Sequence, residues 1–439
     1  MFASLCRVQR QKQKQKGQTM QVPKKIYFKT FGCRTNQFDT QVMISKLKEF
    51  ELCDDEQCSD IVVVNSCTVT NGADSSVRNY ISSMKRKNPN AKVILAGCGS
   101  HSKGESLFEE KKVFGVIGHS EKEKINEILK QEKPFYQIGD LTHIDSTIVE
   151  EFVGKSRAFI KIQEGCSFRC SYCIIPSVRG DARSHKEADI LAQVEKLASN
   201  GFGEFILTGT NVGSYGQDRG SSMAKLLKKM STVRGVRRIR IGSLEPIQID
   251  DEFKELLCEP WMAKHLHIAL QHTSDKMLKL MNRRNTFAAD LKLFHEIAQK
   301  GYALGTDYIV GHPGEDDKEW AEAIDRVEQL PLTHIHAFTY SKRDNTPSAT
   351  MKPEVRGDTA KSRHKELTAL VQAKNYEFRC TYRQNLEVLL ENGKNGIYHG
   401  FDQYFNKIEV KSDEDLSSNW MLLNDVEVGN EGNKIQILS

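Results

Sequence analysis

From Lys24 to about Thr346 the chain alternates short apolar runs with amphipathic stretches of helical period. That is the pattern of successive βα units built around parallel sheets, and it places the protein in the α/β class. In the first part, KKIYFKTF (Lys24–Phe31), DIVVVNS (Asp60–Ser66), KVILAG (Lys92–Gly97) and VFGVIG (Val113–Gly118) predict strands of an open parallel sheet. In the second, AFIKIQ (Ala158–Gln163), EFILTG (Glu204–Gly209), VRRIRIG (Val236–Gly242), HLHIALQ (His265–Gln271), ALGTDYIVG (Ala303–Gly311) and HIHAFTYS (His334–Ser341) predict six more. Between them ADILAQVEKLASN and AADLKLFHEIAQKG have helical period, the latter closed by Gly301 as a C-cap. Six such units describe a partial (β/α)6 barrel. Polar sequence over Gly139–Ser156 reads as a linker between the two parts. A long polar helix over about Thr359–Arg379 then precedes NLEVLLE, NKIEV, DVEVG and NKIQIL, whose alternation broken by Gly, Asn and Asp predicts a small β-barrel. The expected organisation is a tail (1–21), an N-terminal sheet domain (22–135), a barrel core (152–380) and a C-terminal β domain (381–439).

Charge changes this picture only locally. The first 21 residues carry Arg7, Arg10, Lys12, Lys14 and Lys16 and no acid, which accounts for the formal net charge of +5 of the whole chain. This segment lacks the apolar core of a signal peptide and is expected to be disordered; translation could begin at Met1 or at Met20. The rest is about neutral, so only a local patch argues for nucleic acid. Such a patch runs from Lys225, Lys228 and Lys229 through Arg234, Arg237, Arg238 and Arg240, and neutralising Arg237 and Arg238 is expected to weaken binding of an RNA. No apolar run is long enough to span a membrane, and a cytoplasmic location is expected.

Eleven cysteines without an export signal point to metal or redox use rather than disulfides. Cys166, Cys170 and Cys173 occupy one polar loop, GCSFRCSYC, directly after the first barrel strand, at the face where barrels of this kind carry chemistry. A structural zinc would want a fourth ligand at short spacing, yet the next candidate, His185, lies twelve residues on. Three cysteines suit instead an iron-sulfur cluster with one iron left open. Cys33, Cys67 and Cys98 are far apart in sequence, but each follows a predicted parallel strand. The ends of neighbouring strands share one edge, so these thiols can converge as a second three-cysteine site.

The CxxxCxxC loop, with Tyr172 before its last cysteine, resembles the signature of radical S-adenosylmethionine enzymes. The resemblance implies a 4Fe-4S cluster whose open iron chelates S-adenosylmethionine, and reductive cleavage of that cofactor to a 5′-deoxyadenosyl radical. Strand ends rich in small and polar groups suit such a cofactor. Thr210, Glu245 and Gln271, with Tyr172, are the candidate shell.

From Lys24 to Ser439 the chain resembles the methylthiotransferases, through TFGCRTNQFDTQ, VNSCTVT, LAGCGSH, GCSFRCSYCIIPSVRGDARS and FTYSKRDNTPSATM. This implies a second 4Fe-4S cluster at Cys33, Cys67 and Cys98 that carries the sulfur to be inserted. It also implies an electron donor such as flavodoxin or ferredoxin, and a sulfur source. Asn36-Gln37 resembles the branch acting on N6-threonylcarbamoyladenosine beside the tRNA anticodon. Isopentenyladenosine in tRNA and a ribosomal-protein aspartate are the other family substrates, and a two-cluster electron carrier is the non-enzymatic alternative. Two features depart from the pattern. His272-Thr273 stand where the family usually has Ser-Gly. The C-terminal domain resembles an RNA-binding TRAM module yet carries five basic residues against ten acids.

Overall fold

The computed structural model describes residues 22–150, 152 and 155–437, so the expectation for the first 21 residues lies outside it. In the N-terminal part, β1 (Lys25–Thr30), β2 (Glu51–Leu52), β3 (Ile61–Ser66), β4 (Lys92–Gly97), β5 (Gly115–Ile117) and β6 (Phe135–Gln137) form one parallel sheet in the order β2-β1-β3-β4-β5-β6. Its central strands read as unbroken apolar runs because both faces are covered. Val62, Val64, Val93 and Leu95 pack on one side, and Ile61, Val63, Ile94 and Ala96 on the other.

β7 (Ala158–Lys161) opens the barrel, followed by a short pair, β8 (Gln163–Glu164) and β9 (Arg183–Ser184), that brackets the cysteine loop. β10 (Glu204–Thr208) and β11 (Arg238–Arg240) complete a first parallel trio with β7. β12 (His265–His267), β13 (Ala303–Val310) and β14 (His334–Thr339) form a second. The two trios meet only through isolated bridges, Ile239 with Met262 and Leu244 with Ile268. The partial barrel is therefore two half-sheets joined at a seam. Phe38 and Val42, from the helix Arg34–Ser45 that follows β1, enter the barrel's own core, so the N-terminal sheet and the barrel share apolar packing.

Among the described residues, the polar stretch after β6 forms no helix or strand, as a connection should, but it is clamped in place. Asp145, Val149 and Phe152 are buried, and the Gln193 carboxamide accepts from the Val149 N–H at 2.6 Å. Polarity hid this, because Asp145 is buried among charges rather than in water.

After the helix Gly357–Thr381 come β15 (Gln384–Leu390), β16 (Ile397–Phe401), β17 (Lys407–Lys411), β18 (Trp420–Asp425), β19 (Glu427–Val428) and β20 (Asn433–Gln436). They form a single curled, mixed sheet in the order β18-β15-β16-β17-β20-β19.

This sheet corrects the expected basic patch. Arg238 and Arg240 lie on the same face of β11, are almost fully buried, and both bind the Glu204 carboxylate, through Nε at 2.6 and 2.7 Å. Their remaining N–H groups donate to the backbone carbonyls of Glu387, Phe401 and Asp402 in the C-terminal sheet. Arg237 pairs with Glu387 at 2.6 Å and lies over the Trp420 ring. These arginines dock the C-terminal sheet rather than face a polyanion; only Lys225, Lys228, Lys229 and Arg234 remain as exposed cations free of that role. Glu204→Gln would remove the carboxylate that the two buried guanidiniums share, at an expected cost of about 3 kcal/mol. Limited proteolysis should then release the C-terminal sheet from E204Q at concentrations that leave the parent intact.

Candidate active site

Three cysteines and a cavity meet at the carboxyl ends of the barrel strands. Gly165 starts the loop with φ +71°, and a Cβ there would lie 2.0 Å from the Asp181 carbonyl oxygen, so only glycine fits the turn. Ser171 holds the loop, donating through its backbone N–H to Met281 O at 3.0 Å and through Oγ to Leu280 O at 2.8 Å. Ser348 donates to Ser171 Oγ at 2.8 Å and contacts His312 Nε2 at 2.7 Å.

Cys166, Cys170 and Cys173 line a cavity of about 340 Å³. All four shell candidates, Tyr172, Thr210, Glu245 and Gln271, line it too, with Asn211, Arg283, Asp307, Ile309 and Phe338. Arg283 donates to Glu245 at 2.9 Å and lies 3.8 Å from Cys170 Sγ; Asn211 Nδ2 lies 3.7 Å from Cys166 Sγ. Asp307 carries His267 Nε2 at 3.1 Å and His336 Nδ1 at 3.3 Å on its Oδ1. His272 and Thr273 do not line the cavity. His272 is buried beside Tyr308, ring centres 5.1 Å apart, and Thr273 bonds the Tyr308 hydroxyl at 2.8 Å. The departure at these two positions is absorbed by packing.

Register brings the loops carrying Cys33, Cys67 and Cys98 to one edge of the sheet. Thr30 lies beside Asn65 and Ser66 beside Gly97, so the loops after β1, β3 and β4 leave the sheet together. Gly32 brings its backbone against Cys67, where a Cβ would sit 3.0 Å from the Cys67 sulfur. The Asn36 amide ties the first two loops, donating to Phe31 O at 2.8 Å and Ser66 O at 2.9 Å. Asn36 is fully buried in that role, while Gln37 is half-buried. Burial pushes the thiols of Cys98 and Cys173 up to about 12. A bound metal is what makes thiolates favourable in such surroundings.

One helical turn lies between the two sets. Cys173 faces the cavity, while Ile174 and Val178 pack on Cys98, and Arg179 donates through Nε to Cys98 Sγ at 3.1 Å. Val69 and Thr70, just past Cys67, form part of the cavity wall. Arg343, in the FTYSKRDNTPSATM block, bonds Thr68 at 3.0 Å and Asp74 at 2.8 Å, holding that wall from the barrel side.

Comparison with known proteins agrees with this layout. The model of Uncharacterized protein family UPF0004 matches residues 25–118, and that of the Radical SAM superfamily matches residues 160–327. A Helicobacter pylori protein, named only as a methylthiotransferase with no substrate, is 53% identical over 92% of this chain and 98% of its own length. The chain belongs to the radical S-adenosylmethionine methylthiotransferase family. The Bacillus subtilis threonylcarbamoyladenosine tRNA methylthiotransferase MtaB is 32% identical over 94% of this chain and 97% of its own. Among solved structures, the radical S-adenosylmethionine methyltransferase TsrM from Kitasatospora setae shares the fold, with a TM-score of 0.59 at 16% identity over 75% of this chain and 77% of that one.

The methylthiotransferase cavity suits a zwitterionic nucleoside cofactor. Thr210 Oγ1, Asn211 Oδ1 and Arg283 Nε are buried there with no protein partner, while Tyr172, Ile174, Ile309 and Phe338 offer apolar walls. Arg283 and Asn211 are the groups that sequence reasoning missed. Asn211 stood beside a chosen residue, and Arg283 follows a short helix with no motif to mark it.

Burial keeps several histidines of the methylthiotransferase neutral. His185 and His312 are both lowered from 6.5 to about 4. On acidification the unfolded chain protonates them below about 6.5 and the folded chain does not until about 4, so stability falls as pH drops through that window. For His185 the loss is about 3 kcal/mol. Chemical denaturation between pH 7 and 4.5 should show this decline, and His185→Gln should flatten it.

Proposed function

We propose that this methylthiotransferase places sulfur and a methyl group at C2 of N6-threonylcarbamoyladenosine beside the tRNA anticodon. The observation that carries the reaction is the pair of three-cysteine sets on opposite sides of the Cys173–Arg179 turn, the first lining the cavity and the second followed by Val69 and Thr70 of its wall. Support for the substrate comes from the Bacillus relative and from the GCRTNQFDTQ block.

In this reading Cys166, Cys170 and Cys173 hold a 4Fe-4S cluster, and Cys33, Cys67 and Cys98 hold a second. When bound, cluster and S-adenosylmethionine supply one-electron chemistry at a C–H bond too weakly acidic for any side-chain base. Thr210 and Asn211 present unpaired oxygens to the cofactor, and the Glu245–Arg283 pair fixes charge beside Cys170. Tyr172, Ile309 and Phe338 give the walls their apolar character. Cys33, Cys67 and Cys98 would hold the centre that supplies the sulfur, and Val69 and Thr70, just past Cys67, form part of the cavity wall. An external electron donor and a sulfur source complete the cycle, and a cytoplasmic location accords with a tRNA substrate. Among the described residues no helix is long and apolar enough to cross a membrane.

Mass spectrometry of tRNA nucleosides from cells with and without the gene tests this. Loss of the methylthio form of threonylcarbamoyladenosine, with its precursor accumulating, is the expected result. Loss of methylthio-isopentenyladenosine instead would move the protein to that branch. An unchanged nucleoside profile would reject tRNA altogether and favour a ribosomal-protein aspartate, a partner the acidic C-terminal sheet would tolerate better.

A further inference from the structure

Arg179 is almost completely buried, and its N–H groups are committed in a way that no motif announces. Nε donates to Cys98 Sγ at 3.1 Å; Nη2 donates to Asn36 Oδ1 at 2.6 Å and Asp39 Oδ2 at 3.0 Å; Nη1 donates to Glu164. Asn36 is the residue that ties the loops leading to Cys33 and Cys67, so one guanidinium reaches all three loops of the second cysteine set, one directly and two through an amide. Arg179 also ends the short helix Ile175–Arg179, which begins two residues after Cys173, a member of the first set. Lysine could not replace it, since a single ammonium lacks the planar fork that meets four partners in fixed directions.

Resting on the reading that Cys33, Cys67 and Cys98 hold an iron-sulfur cluster, we propose that Arg179 is a positioning residue that sets the reduction potential of that cluster. An N–H donor and a positive charge at a ligand sulfur stabilise the more negative, reduced state, so their presence raises the potential. The other charges around Arg179 do not supply this. Lys122 and Lys161 bind Asp39, Asp145 and Glu164; Arg179 shares two of those carboxylates but also places its Nε–H donor on a thiol of this set. The effect is directional. The cluster at Cys166, Cys170 and Cys173 has its own cation, Arg283 near Cys170, and should be insensitive to Arg179.

The test is potentiometric electron paramagnetic resonance on the full chain with Cys166, Cys170 and Cys173 replaced by Ala, so that only the second cluster contributes. Arg179→Gln is expected to shift its midpoint potential downward, and Arg179→Lys, which keeps charge without the fork, to shift it less in the same direction. The complementary protein, with Cys33, Cys67 and Cys98 replaced, should keep one midpoint with or without Arg179→Gln. An unshifted midpoint in R179Q, or an equal shift in both clusters, overturns the proposal. If R179Q takes up no iron, R179K against the parent decides, and identical midpoints count against it. Failure of the parent itself to bind iron at the second site would instead reject the cluster reading, and the role of Arg179 with it.

Discussion

Changing any one of Cys166, Cys170 and Cys173 to Ala is expected to reduce reductive cleavage of S-adenosylmethionine to the assay background. The loop offers three thiols, and Glu245 and Asp307, the carboxylates lining the same cavity, are already paired with Arg283 and with His267 and His336. His185, the sequence neighbour with a lone pair, lies beside Asp145 and Glu164 in a buried charge cluster, not in the cavity. Arg283, close to Cys170, is a donor without a lone pair. Removing one thiol therefore leaves two, too few to keep a cluster in place. The readouts are iron per chain and deoxyadenosine produced by the dithionite-reduced protein. Alanine at Cys33, Cys67 or Cys98 should behave differently: cleavage survives while methylthiolation is lost. Retained cleavage after loss of Cys166, Cys170 or Cys173 would remove the cavity from the reaction.

The largest effect on stability is expected from Asp39→Asn. Asp39 is buried against Lys122 Nζ at 2.8 Å, Lys161 Nζ at 2.6 Å and Arg179 Nη2 at 3.0 Å. With Asp145 and Glu164 it balances those cations, three against three, between the N-terminal sheet and the barrel. Those cations hold the Asp39 carboxyl far below the usual carboxylate range despite its burial. Neutralising it leaves an uncompensated charge in a dry interface, at a cost of roughly 3–5 kcal/mol. Adding Lys122→Met to D39N restores neutrality and should recover much of that loss. Urea denaturation of the two single variants and the double variant measures the coupling. An additive pair would mean that the network is wetter than its burial implies.

These two cases mark what was legible in the sequence. That the loops carrying Cys33, Cys67 and Cys98 leave the sheet at one edge could be read because parallel strands end together, so that following a strand is itself positional information. The cysteine loop and its strand-end neighbours Thr210, Glu245 and Gln271 could be placed at the cavity for the same reason. Charges inside elements resisted that logic. Lys161 sits in the apolar run AFIK and Asp39 in an amphipathic helix, and only their pairing across 122 residues explains either. Nothing in the sequence around Arg179 marks its four buried partners, which come from three separate segments of the chain. The RRIR run did hold a warning: in a strand Arg238 and Arg240 fall on one face, and Glu204 and Arg238 lie opposite each other in adjacent strands. Read with that alternation, the patch resolves into a buried ion-pair face and a few exposed lysines.

The arginines beneath the C-terminal sheet also fix a length. Because Arg237, Arg238, Arg240 and Arg157 fasten that sheet to the outside of the barrel, it cannot swing like a tethered arm. The sheet and the cavity therefore keep one set distance between them, as a jig keeps a workpiece from a tool.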